Sequence, residues 1–182
     1  IKKLDEDISK REEQMKWITM LIVGLAIAFY FNPVKATEGL SDKEYEERRC
    51  LVEAIYFEGR SESLLAQLAI ANVILERVKL INFPNTVCEV VKQGRYYKGH
   101  PVRHKCAFSY WCDGKPETIA NVDAYNEAVS AAELALQGVV LIHTEGATHY
   151  HASYVTPYWA LDERFSLVGQ IDKHVFYIDN SR

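Results

Sequence analysis

From Ser41 on, the helical periods in this chain all fall before Gly138, after which the sequence reads as strand. That segregation is the tightest constraint on what the chain can fold into. Ser41 followed by Glu44 fits a capping box that opens a helix over 41–57. A second helix over 63–79 carries Leu64, Leu68, Ala71, Leu75 and Val78 on one face with Gln67 beside them, the pattern of a central core helix. After a proline-containing turn at 82–85, a short helix fits 86–92, and a third long helix fits 121–137, ended by Gly138 as its left-handed C′ residue. The stretch 93–116 is rich in Gly, Tyr, His and basic residues and has no clear period, as functional loops often are. Strand candidates follow at 139–143, 147–153 and 173–178, with a turn at 144–146. Helices followed by strands predict an α+β domain with a small antiparallel sheet.

The front of the chain has a different composition. Residues 15–36 read as a secretory signal: Met15 and Lys16 form a short basic start, 18–31 is apolar, and Val34-Lys35-Ala36 resembles a small-x-small cleavage site, so cleavage is expected after Ala36. The apolar run is short for a membrane span, although a signal anchor is the alternative. In residues 1–14, Lys2, Lys3, Lys10 and Arg11 are outweighed by Asp5, Glu6, Asp7, Glu12 and Glu13. A signal should start positive, so 1–14 reads as sequence upstream of a start at Met15, or as a cytoplasmic tail if 15–36 remains an anchor. The expectation is one domain over 37–182, secreted or periplasmic, or else anchored and facing outward, and touching the membrane only in transit unless anchored.

Export agrees with the cysteines. Cys50, Cys88, Cys106 and Cys112 are even in number and all follow the cleavage site. Of three connectivities, Cys106–Cys112 and Cys50–Cys88 are preferred: the first pair brackets only five residues, and the second would tie the first helix to a later one. Buried free thiols are the alternative, and no C-x-x-C pair supports zinc. From residue 37 on there are 15 basic against 20 acidic residues, which argues against nucleic acid as a partner.

Chemistry centres on Glu58. Ile55, Ala54 and Leu51 precede it at i−3, i−4 and i−7, so this carboxylate points where a core-facing stripe points. Burying an unpaired carboxylate is costly, and such a group holds a partner or stays protonated with a raised pKa, as a general acid must. Solvation at a frayed helix end is the plain alternative. Glu62 follows one turn on. The loop Ala107-Phe108-Ser109-Tyr110-Trp111, with Tyr96 and Tyr97 upstream, offers aromatic faces that stack on sugars, although core packing accounts for Phe108 equally well. Thr148-His149-Tyr150-His151 and Tyr158-Trp159 form the third group, with His149 and His151 on one strand face. That His pair raises a metal-dependent amidase or peptidase as a rival reading, but no ligand spacing of the H-E-x-x-H kind supports a metal.

The runs EAIYFEGRSESLLAQLAIANVILERV, FPNTVCEVV, CAFSYWCDGK, ATHYHASYVTPYWA and GQIDKHVFY, in this order, resemble the successive motifs of the SleB/CwlJ-type cell wall hydrolases. The resemblance covers about residues 50–178. It implies a lysozyme-like helical core and cleavage of peptidoglycan glycan strands, with the family's catalytic glutamate at Glu58, in the segment Glu58-Gly59-Arg60-Ser61-Glu62 that matches its E-A-R-G-E motif. The bond would be the β-1,4 link between N-acetylmuramic acid and N-acetylglucosamine. A lytic transglycosylase yielding 1,6-anhydromuropeptides needs one carboxylate and is the expected mechanism; a muramidase-type hydrolase would need a second, for which Asp113 is the candidate. Glu62, Gln67, Tyr96, Phe108, Ser109, His149, Tyr150, His151 and Trp159 are expected to bind the glycan. No cofactor is called for, peptidoglycan is the expected partner, and a monomer is expected.

Overall fold

The computed structural model describes residues 39–181. The signal segment and its cleavage site lie outside them. Ser41 opens α1 (Asp42–Gly59) with the expected capping box, its hydroxyl accepting from Glu44 N while the Glu44 carboxylate accepts from Ser41 N at 2.9 Å. The inner face of α1 buries Leu51, Ala54 and Ile55, together with Val52 and Tyr56. Ser63 caps α2 (Leu64–Lys79) through Ala66 N, and its own N–H donates to the Asp172 carboxylate at 2.9 Å, which ties the start of α2 to the distant chain end.

The centre of α2 is buried on all sides from Ala66 to Ile74. One expected stripe therefore understates it, and Leu64, at the head of that stripe, is 44% exposed. Leu68, Ala71 and Ile74 join the helical core, whereas Ala69 and Val73 pack on Ala147 and Phe176 beneath the sheet. A helix covered on two sides needs no polar face. The short α3 (Val87–Val91) is capped by Thr86 and bound to α1 by the Cys50–Cys88 disulfide, with Cα atoms 5.2 Å apart. In the chain-entropy account, closing that long loop contributes about 4 kcal/mol. Finally, α4 (Val122–Leu136) turns Ala124, Ala128, Ala131, Ala132 and Ala135 inward, small side chains that let it lie close on α1 and α2. The fully buried Tyr56 fixes its entry by accepting from Ala120 N and Asn121 N, both at 3.2 Å. Gly138 ends it at φ 89°, as expected.

The strands form two antiparallel groups. A hairpin joins β1 (Gly94–Tyr97) to β2 (His100–Cys106), and a three-stranded sheet has the order β3-β5-β4, with β3 His149–Ala152, β4 Phe165–Ile171 and β5 His174–Asp179. The α+β class thus holds, and β3 and β5 fall where alternation placed them. Three features differ from the sequence reading. The hairpin lies inside the stretch 93–116 that has no sequence period, β4 has no counterpart among the strand candidates, and 139–143 is no strand. Instead the buried Asn72 side chain serves that backbone: Nδ2 donates to Val139 O and Oδ1 accepts from Leu141 N, at 2.9 and 3.0 Å. Those groups need no ladder partner. Among the described residues, no helix is long and apolar enough to cross a membrane.

Candidate active site

Glu58 sits in the last turn of α1, where the helix runs closest to α2. Gly59 makes that approach possible, since a Cβ there would lie 2.9 Å from Ile70 Cδ1 and 3.3 Å from Gln67 Cγ. The Glu58 side chain reaches two further parts of the fold. Its Oε1 accepts from Ser109 N at 2.9 Å and from Ser109 Oγ at 3.2 Å, and its Oε2 faces the Tyr150 hydroxyl at 3.5 Å, the limit of a hydrogen bond. Ser109 opens the 3-10 turn Ser109–Cys112 that follows β2, and Tyr150 lies on β3. One carboxyl therefore joins helix, turn and sheet.

Burial raises the Glu58 pKa above the usual glutamate range. The Ser109 hydroxyl, the Tyr110 and Ser109 backbone N–H groups and the Tyr150 hydroxyl pull it back without cancelling the rise. The position adds to the effect, because the C-terminal end of a helix disfavours negative charge. Tyr150 is itself held as a neutral donor, its pKa raised by burial and then by the charge of Glu58. Ser109 is exposed and Glu58 half-buried. A cleft of about 300 Å³ adjoins the Ser109 turn, lined by Ser109, Tyr110, Arg60, Asp113, Lys115 and Glu117 among others; Glu58 meets it through Ser109 rather than lining it.

Of the residues expected to bind glycan, the structure brings Ser109 and Tyr150 to Glu58. Glu62 turns to Lys173, with Oε1 3.1 Å from Nζ and a side chain 9% exposed. Gln67 is fully buried beneath; its Nε2 donates to Glu62 O at 3.4 Å, and its Oε1 finds no partner among the described residues. Tyr96 anchors the turn from outside, donating to Lys92 O at 2.8 Å and accepting from Trp111 Nε1 at 3.0 Å. Phe108 is not on the cleft: it is 1% exposed, packed in the helical core beneath the Arg77 guanidinium, with no ring face left for a sugar.

His149 and His151 share a strand face as expected, but it is the face opposite Tyr150. His149 lies against Trp159 and Phe165, and His151 between Trp159 and Tyr177, so these residues form an aromatic layer away from Glu58. Burial and then Arg77 lower the His149 pKa to about 4, which keeps it neutral. Among the described residues, no group of three His, Cys, Asp or Glu side chains is placed to hold a metal ion.

Two further residues bear on the site: Tyr110, which the sequence offers only as part of an aromatic loop, and Arg77, which it does not single out. Tyr110 stacks on Phe57 with ring centroids 4.8 Å apart and directs its backbone N–H at Glu58. Its place beside Ser109 was the available signal. Arg77 is buried, donates Nε to Thr148 O at 2.7 Å, and stays cationic with its pKa lowered by burial to about 10. An arginine in a helix pattern carries no sign that it will be buried.

The fold is that of enzymes that act on the cell wall. The profile of the Cell Wall Hydrolase family matches residues 61–177, and the chain belongs to that family. Among solved structures it is similar to the catalytic domain of the Bacillus cereus SleB protein, with 26% identity, a TM-score of 0.54, and coverage of 81% of this chain and 98% of that one. It is likewise similar to the catalytic domain of the germination-specific lytic transglycosylase SleB from Bacillus anthracis, with 26% identity, a TM-score of 0.53, and coverage of 78% and 99%. No curated protein matches. Glu58 stands three residues before the stretch that the family profile matches, so its geometry is what speaks for it.

Proposed function

We propose that this peptidoglycan-lytic enzyme is a lytic transglycosylase, cleaving the β-1,4 bond between N-acetylmuramic acid and N-acetylglucosamine with Glu58 as acid and then base. Protonated Glu58 gives its proton to the departing N-acetylglucosamine O4 as the C1–O4 bond breaks. The carboxylate then takes the proton of the muramic C6 hydroxyl as O6 bonds to C1, closing a 1,6-anhydro ring. No water is consumed, and Glu58 ends protonated as it began. Ser109 positions Oε1, which leaves Oε2, facing the long Tyr150 contact, as the oxygen that exchanges the proton.

The observation that carries this reading is that one carboxyl has the required environment. Glu58 is half-buried with a raised pKa and is bound by Ser109, which lines an open cleft, whereas Glu62 is committed to Lys173. The Bacillus anthracis relative, itself a lytic transglycosylase, supports the same outcome. A second reading, a muramidase-type hydrolase, draws on Asp113, which lines the cleft together with Ser109 and could activate water. Secretion through residues 15–36, with cleavage after Ala36, would deliver residues 37–182 to this substrate as a monomer needing no cofactor.

Mass spectrometry of digested peptidoglycan tests the proposal. Muropeptides ending in 1,6-anhydromuramic acid, each lighter by one water than the reducing-end species, are expected. Reducing ends alone, with Asp113→Asn inactive, would establish the hydrolase, and cleaved amide bonds would overturn both readings.

A further inference from the structure

We propose that the Cys106–Cys112 disulfide is a positioning element for Glu58, holding the turn whose donors are aimed at the carboxyl. The proposal rests on the reading of Glu58 as the acid. Cys106 is the last residue of β2 and Cys112 the last of the 3-10 turn, with Cα atoms 6.1 Å apart. Only five residues lie between them, and one of these, Ser109, donates both its backbone N–H and its hydroxyl to Glu58, while the backbone N–H of the next, Tyr110, also favours the charged carboxyl. The turn is entered by a 3.3 Å bond from Trp111 N to Phe108 O, and the bridge closes the same short loop covalently.

The far side of the bridge is braced as well. Gly94 of β1 pairs with Cys106, and a Cβ at Gly94 would lie 2.8 Å from Cys106 Cα and 3.0 Å from its Sγ. The absent side chain lets β1 press directly on the bridge. A continuous mechanical path therefore runs from Gly94 through Cys106 and Cys112 to Ser109 and the Glu58 carboxyl. Without the bridge, the buried Phe108 and Tyr110 still keep the turn over Glu58, so the carboxyl stays covered while its donors lose their aim. A covered carboxyl with fewer donors holds its proton more tightly.

The test compares the parent with the double variant Cys106→Ser/Cys112→Ser. Glu58 is titrated by ¹³C NMR of the side-chain carboxyl, assigned with Glu58→Gln, and the pH profile of kcat/KM on purified peptidoglycan is recorded alongside. The folded variant is expected to show Glu58 titrating at higher pH and the alkaline limb of the profile moving the same way. Its kcat should fall roughly tenfold with KM little changed, the loss of about one charge-assisted hydrogen bond. An unshifted or downward titration, with only the melting temperature lowered, would overturn the proposal. If the double variant does not fold, Gly94→Ala retains both cysteines and strains the bridge from outside; the same upward shift is expected, and an unchanged titration in that folded variant overturns the proposal. Should the parent cleave no glycan, the proposed function fails, while the NMR titration still decides the role of the bridge.

Discussion

Ser109 holds Glu58 by two donors on one oxygen, its backbone N–H at 2.9 Å and its hydroxyl at 3.2 Å, across 51 residues of sequence. The pairing leaves the second carboxyl oxygen toward Tyr150 and fixes how the acid points.

Replacing Glu58 by Gln keeps the size and the hydrogen-bonding shape but removes the proton that is transferred. Activity on peptidoglycan is expected to fall by about 10²–10⁴-fold or more, with the fold intact by circular dichroism. A muropeptide-release assay within tenfold of the parent would remove Glu58 from the mechanism.

The pH dependence follows from the direction of the Glu58 shift. Its folded pKa lies above the unfolded value of about 4.3, so the folded state binds the proton more tightly. Stability from this group is present at low pH and is lost as pH rises through the folded pKa, because the buried carboxylate must then carry charge. Activity needs the protonated acid and declines over the same rise. Denaturant titrations at several pH values should show the parent losing stability across this window relative to Glu58→Gln; a parallel pair of curves would contradict the shift.

Ser109→Ala removes the hydroxyl donor and retains the backbone one. The expected cost is about 1 kcal/mol of positioning, a several-fold drop in kcat, with the alkaline limb moving to higher pH because a donor that favoured the charged form is gone. A kcat unchanged within error would show that the backbone N–H suffices.

Gly59→Ala places a methyl 2.9 Å from Ile70 Cδ1, in a part of α2 with no exposed surface to yield into. Overpacking of this kind costs about 1–3 kcal/mol, more than the helix-propensity gain of up to about 1 kcal/mol. Thermal unfolding should show a lower Tm, and activity should fall with it, because α1 carries Glu58 away from the turn. A raised Tm would mean that the two helices separate freely.

Much of this protein was legible along the chain because the signals concerned were local. Ser41 and Glu44 made their capping box from four consecutive residues, Gly138 ended α4 because the chain there turns left-handed, and the spacing of Leu51, Ala54 and Ile55 aimed Glu58 inward before any partner was known. The pairings Cys50–Cys88 and Cys106–Cys112 likewise came out as preferred. What stayed hidden was decided by partners far off in sequence. The β1–β2 hairpin has no buried face on β1 and so no alternation to read, and β4 breaks its alternation with a register shift between Leu167 and Gly169. Segment 139–143 looks like a strand until Asn72, some seventy residues earlier, satisfies its backbone. Period-2 geometry told that His149 and His151 share a face and that Tyr150 takes the other, but not which face meets Glu58. Packing of β3 beside β5 and over α2 settled that, sending Tyr150 to the carboxyl and both histidines into the aromatic layer, because a strand's alternation fixes relative directions while only the surface it lands on gives them meaning.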